Sequence, residues 1–119
     1  MKARVLIADD ASFMRQMIRE IIEEEGYEVV GEATNGIEAV EQFAELSPDL
    51  VTMDIVMPKC SGIDAVKGIL KDNPGARVVM CSALGQETLV MEALQAGARD
   101  FIVKPFKPEN VIATLKKVL

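Results

Sequence analysis

Four apolar runs of this chain each end in polar groups that together suit one reaction site. Val5-Leu6-Ile7-Ala8 runs into Asp9 and Asp10, and Leu50-Val51-Thr52-Met53 into Asp54. Val78-Val79-Met80-Cys81 runs into Ser82, and Phe101-Ile102-Val103 into Lys104-Pro105. In an open parallel α/β sheet the carboxyl ends of the strands share one edge, and ligands bind in the crevice there. Three carboxylates, a hydroxyl and an ammonium would then meet. The carboxylates would repel one another unless a cation joined them. Mg²⁺ suits such a set, because it takes one or two carboxylates, keeps several waters and completes its shell with phosphate oxygens. Lys104 can pair with Asp54 and then with an incoming phosphoryl oxygen, and Ser82 can donate to the same oxygens. Asp54 is then the nucleophile toward phosphorus, forming an acyl phosphate.

Taken singly these residues say little. Asp9-Asp10 could be a solvated pair at a helix entry, Asp54 a loop carboxylate before Pro58, and Lys104 an exposed lysine before a proline. Ser82 alone carries no signal. Their common position at strand ends, in order, makes them one site. A cis Lys104-Pro105 peptide would aim the ammonium inward, whereas a trans proline would simply end the strand.

The elements that must position them alternate strand and helix five times. Residues 4–8 read as a strand. From Ser12 to Glu25 a helix carries Phe13, Met14, Met17, Ile18, Ile21 and Ile22 as its apolar stripe, with Arg15, Gln16, Arg19, Glu20 and Glu23 opposite. Gly26 stops it. Tyr27 to Ala33 forms a second strand, and Asn35-Gly36 turns into a helix with Ile37, Val40 and Phe43/Ala44 inward, ended by Pro48. After the strand at 50–53, a loop through Met57-Pro58 exposes Met57 and leads at Gly62 into a helix with Ile63, Val66, Ile69 and Leu70 inward. Pro74-Gly75 marks a turn. A fourth strand covers 77–81, a helix Glu87–Ala96, and a fifth strand 100–103. Pro108 opens the last helix, with Val111, Ile112, Leu115 and Val118 inward. Short right-handed crossovers give a doubly wound α/β parallel sheet covered on both faces. Apolar strands 1, 3 and 4 suit its centre, and the strand bearing Glu28 and Glu32 suits an edge.

Composition narrows the function. With 119 residues, half of them apolar, the chain suits one domain with a core, and no run approaches a membrane span. No cleavable signal is visible, so a cytoplasmic protein is expected. A net charge of −6 argues against nucleic acid as a direct partner. Cys60 and Cys81 have neither metal-site nor CxxC spacing and read as reduced thiols. The absence of histidine excludes a Ser-His-Asp triad, and any phosphohistidine must belong to another protein.

The segments Arg4-Val5-Leu6-Ile7-Ala8-Asp9-Asp10, Met53-Asp54-Ile55-Val56-Met57-Pro58 with Gly62, and Asp100-Phe101-Ile102-Val103-Lys104-Pro105-Phe106 strongly resemble the receiver (response-regulator) family of two-component signalling, and within it the stand-alone chemotaxis regulators. The resemblance spans the whole chain. It implies one receiver domain over residues 1–119, with a flavodoxin-like sheet of order 2-1-3-4-5 and five helices, an order for which the chemotaxis receiver is itself a standard example. It implies that Asp54 is the phosphoacceptor, that Asp10 and Asp54 bind Mg²⁺ with the backbone carbonyl of Val56, and that Asp9 holds a metal-bound water. Ser82 and Lys104 stand at the family's Ser/Thr and lysine positions, and Phe101 at its aromatic switch. A histidine kinase would be the phosphodonor, and the chain would assist its own phosphorylation and dephosphorylation without being an enzyme in the usual sense. Ser82 would move toward the phosphoryl group, Phe101 would swing inward, and the helix 4–strand 5–helix 5 surface would change its affinity for a partner. That partner is expected to be the flagellar motor switch, with a phosphatase as a further partner and the chain itself a monomer.

Three positions depart from common family patterns. Phe101 lacks the hydroxyl of a tyrosine, and Val56 and Leu84, two residues past Asp54 and Ser82, have no polar group to orient an attacking water. A long-lived aspartyl phosphate is expected. The alternatives are a receiver from a phosphorelay or a larger transcriptional regulator, which the ending after the last helix disfavours, and a flavodoxin-like electron carrier. For the carrier, Asp9-Asp10 would repel the FMN phosphate, and aromatics to stack on a flavin are few. An aspartyl phosphohydrolase would need more loop than this chain has.

Overall fold

The computed structural model describes residues 2–119. In chain order the elements are β1 (Arg4–Ala8), α1 (Ser12–Glu24), β2 (Glu28–Ala33), α2 (Gly36–Leu46), β3 (Leu50–Asp54), α3 (Gly62–Asp72), β4 (Val78–Ser82), α4 (Glu87–Ala96), β5 (Asp100–Val103) and α5 (Pro108–Val118). The five strands form one parallel sheet in the order β2-β1-β3-β4-β5. This is the flavodoxin-like arrangement that the sequence suggests, with the polar strand β2 at an edge.

Alternation along the central strands divides the interior into two layers. Leu6, Ala8, Val51, Met53, Val78 and Met80 face one way and pack with α2, α3 and α4. Val5, Ile7, Leu50, Val79 and Cys81 face the other way and pack with α1 and α5. Each large aliphatic side chain so buried stabilises the fold by about 1.5–3 kcal/mol relative to exposure. Two helices on the first face start on side-chain caps. Asn35 accepts from the Glu38 N–H, and Ser61 from that of Asp64. Each cap contributes about 1 kcal/mol.

Three apolar residues assigned inward by periodicity face solvent, and one assigned outward does not. Ile18 and Ile22 set the phase of α1, and Phe13, five residues before Ile18, lies about 140° around the helix from it. Phe13 is accordingly 68% exposed. In α2, Gly36 is pressed against the Cys60 carbonyl, which fixes the helix so that Gly36, Ala39 and Phe43 are the buried set. Ile37 and Ala44 therefore point outward. Met57 is buried rather than exposed, joining the layer beneath α3.

Candidate phosphoryl and metal site

Strand register brings the polar residues together. Ala8 pairs with Met53, so the next residues, Asp9 and Asp54, stand side by side at the sheet edge. Asp54 in turn pairs with Cys81, and Ser82 with Val103. The Lys104 N–H donates to the Ser82 carbonyl at 2.7 Å, which extends the ladder one residue past β5. The Lys104–Pro105 peptide is cis.

Carboxylate oxygens of Asp9, Asp10 and Asp54 all lie within 4.8 Å of one another. Asp9 and Asp54 are buried while Asp10 is exposed, so the cluster opens to solvent on the Asp10 side. Asp9 is therefore not a solvated helix-entry residue. Its Oδ1 accepts from the Ala11 N–H at 2.9 Å, and its Oδ2 accepts from Lys104 Nζ at 2.9 Å. Lys104 Nζ also lies 3.3 Å from Asp54 Oδ1, so one ammonium bridges both acids. Ser82 is buried at the same edge.

The charges answer to this geometry. Burial and the negative charge of Asp9 push the Asp54 carboxyl up to about 6 against the pull of Lys104, with Asp10 adding to the rise. Burial alone would lower Lys104, but its hydrogen bond to Asp9 and the charge of Asp54 outweigh that and hold it above its ordinary value. The Asp54 carboxylate is short of positive charge. Both cysteines are free thiols, and burial pushes each up, away from the thiolate.

The donor set fits a hard divalent cation. The ligand atoms are all carboxylate oxygens, the net charge among the three acids and one lysine is negative, and Asp10 is exposed to solvent. Val56 follows two residues after Asp54 in the β3–α3 loop, with its side chain 56% exposed.

Phe101 is 39% exposed. It lines a cavity of about 250 Å³ together with Ser82, Leu84, Val90, Met91 and Val103. Ser82 and the aromatic ring thus border a single apolar space.

Two contacts escaped the reading of the sequence. Arg15, placed there on the solvent face of α1, turns back to donate from Nη1 to the Asp9 backbone carbonyl at 2.8 Å. Gly62 stands against the backbone of Asp54, where a Cβ would come within 2.0 Å of the carbonyl oxygen. Neither could be read from periodicity, since each depends on how the chain turns from a strand end into the next helix.

Residues 5–116 match the response regulator receiver domain. The chain belongs to that family. The receiver is 60% identical over 118 residues to chemotaxis protein CheY of Thermotoga maritima, covering 99% of this chain and 98% of that protein. It is 55% identical over 119 residues to chemotaxis protein CheY of Bacillus subtilis, covering 100% and 99%. Among solved structures, the receiver is similar to a chain of the CheX–CheY–BeF3–Mg+2 complex from Borrelia burgdorferi, with a TM-score of 0.93 and 39% identity over 98% of this chain and 88% of that one. As a receiver the chain takes part in two-component signalling, which implies a histidine kinase as phosphodonor and an output partner. Among the described residues no helix is long and apolar enough to cross a membrane.

Proposed function

We propose that residues 1–119 act as one chemotaxis receiver, phosphorylated on Asp54 by a histidine kinase and dependent on Mg²⁺. The observation that carries this reading is the meeting of Asp9, Asp10 and Asp54 with Lys104 between two of them. An Asp54 oxygen attacks the phosphorus of the donor phosphohistidine. The new O–P bond forms as the P–N bond breaks, and the leaving imidazole keeps the electron pair and takes a proton from solvent. Asp10 and Asp54 would hold the metal with the Val56 carbonyl, and Asp9 would hold one of its waters. Bound Mg²⁺ supplies positive charge to the phosphoryl oxygens. Lys104 shifts from its acid partners to one of those oxygens, and Ser82 donates to another.

Movement of Ser82 toward the phosphoryl group would enlarge the cavity beside it, and Phe101 would rotate from solvent into that space. This biases a two-state equilibrium through contacts made only in the phosphorylated form. The altered α4–β5–α5 surface then engages the output partner, which the kinship with proteins named CheY suggests is the flagellar motor switch. A phosphatase partner is supported by the CheX–CheY relative. The chain itself works as a cytoplasmic monomer.

Intact-mass spectrometry after incubation with a small phosphodonor tests this. The expected result is a single phosphoryl adduct that requires Mg²⁺ and is absent from Asp54→Asn. If the wild-type chain gave no adduct under conditions that modify another receiver, the acidic cluster would be structural and the reading would fail.

A further inference from the structure

We propose that Arg15 is a positioning residue for the metal end of the site, aimed there by Glu32. Arg15 lies in the first turn of α1, yet its side chain is only 16% exposed. Its Nη1 donates to the Asp9 carbonyl at 2.8 Å, and its Nε donates to Glu32 Oε1 on β2 at 2.9 Å. Glu32 is gripped from the other side by Arg19. Burial would raise the Glu32 carboxyl, but the hydrogen bonds from Arg19 and Arg15 outweigh it and hold it low. Glu32 is thus a charged anchor on an edge strand, and one planar guanidinium spans from it to the tip of β1.

The target of this span is what gives it a function. The Asp9 carbonyl and the Asp10 N–H belong to one rigid peptide plane. Fixing the carbonyl fixes that plane, and with it the Cα from which the Asp10 carboxylate projects. Asp9 has further restraints of its own, since its N–H donates to the Ala33 carbonyl and its carboxylate is held by Ala11 and Lys104. Asp10 is exposed, so its direction depends on its backbone. Arg15 is the side chain that reaches that peptide plane from a second element of the fold.

Electrostatics alone predicts the opposite effect, which makes the idea decidable. Arg15 is a positive charge bonded to the backbone of the candidate cation site and should oppose a divalent cation. Removing it should tighten Mg²⁺ binding if charge dominates, and weaken binding if positioning dominates. The inference rests on Asp10 being a metal ligand, as proposed above.

The experiment is calorimetric titration of the metal-free protein with Mg²⁺ for wild type, Arg15→Met, Arg15→Lys and Lys107→Met, with a melting curve for each. Arg15→Met is expected to weaken Mg²⁺ binding on the order of tenfold, as loss of an orienting contact behind a metal ligand does. Arg15→Lys keeps the charge but cannot make both bonds, and should weaken it by a smaller factor. Lys107→Met removes one positive charge from an exposed residue outside the Arg15–Glu32 network, and should stay within about twofold of wild type. In metal-free Arg15→Lys, the amide resonances of Asp10 and Ala11 should move, a change that charge alone does not demand. Wild-type affinity in Arg15→Lys, or unchanged or tighter binding in Arg15→Met, would overturn the role of Arg15. Failure of the wild-type chain to bind Mg²⁺ at all would instead remove the metal site on which the inference stands.

Discussion

Lys104 hydrogen-bonds Asp9 at 2.9 Å and stands 3.3 Å from Asp54, so the ammonium is held more closely by a neighbouring acid than by the proposed phosphoacceptor. The sequence suggests a direct Lys104–Asp54 pair. The arrangement found leaves Asp54 less neutralised, and it stations the lysine where an arriving phosphoryl oxygen can draw it across. Lys104→Met should therefore slow adduct formation by about 100-fold, the scale typical of losing one preorganised charge partner. The Asp54 carboxyl should also titrate above about 6 in that variant. A mass-spectrometric time course and carbon-detected titration of Asp54 measure the two effects. Adduct formation at the wild-type rate would leave Lys104 a structural residue.

The raised Asp54 carboxyl also predicts a pH dependence of stability. Its folded value of about 6 exceeds the ordinary 3.8, so between these values the folded chain binds more protons than the unfolded chain. Stability therefore falls as pH rises through this window, and the full cost is present above about 6. Asp54→Asn in metal-free buffer should be more stable than wild type by about 1–3 kcal/mol at pH 7.5, with the difference vanishing near pH 4. Glu32, whose carboxyl is held low, contributes the opposite slope, but it is common to both proteins and cancels. Denaturant midpoints at several pH values give the comparison. A constant difference at every pH would attribute the effect to packing.

Gly62 tolerates no side chain. A Cβ there would meet the Asp54 carbonyl oxygen at 2.0 Å and the Ile55 Cα at 2.9 Å, both backbone atoms that cannot rotate away. The Gly62 N–H also donates to the Ile55 carbonyl at 2.8 Å, tying α3 to the end of β3. Gly62→Ala should cost about 3 kcal/mol or more, at the upper end for one substitution, and should displace Asp54 enough to impair phosphorylation. Gly75, with open space around its Cβ position, is the control. Gly75→Ala should change the unfolding midpoint little.

Val56 is expected to govern the lifetime of the proposed aspartyl phosphate. Its side chain is largely exposed, two residues past Asp54, and has no group to orient a water. Val56→Asn should shorten the half-life of the aspartyl phosphate roughly tenfold by positioning the attacking water. Loss of the adduct over time, followed by mass after removal of the phosphodonor, reads this directly. A half-life no shorter than wild type would mean that water access is set elsewhere, with exposed Leu84 the next residue to change.

What the sequence alone determined is what local pattern and chain order control. Continuous apolar runs at residues 4–8, 50–53 and 78–81 need cover on both faces, and that places β1, β3 and β4 at the centre of a parallel sheet. A parallel sheet in turn sets Asp9, Asp54, Ser82 and Lys104 on one edge, so the members of the site were legible from strand ends. Tertiary structure decided the rest. Whether Phe13 and Ile37 are buried depends on helix phase, which is fixed by Ile18 packing on the sheet and by Gly36 meeting Cys60. Periodicity gives the width of an apolar stripe but not its rotation against a neighbour. Whether Lys104 binds Asp9 or Asp54 turns on differences of an ångström or less between strands far apart in the chain, and whether Arg15 faces water or the Asp9 carbonyl turns on how α1 leaves the end of β1. Such differences belong to register and loop geometry, and only the folded backbone fixes them.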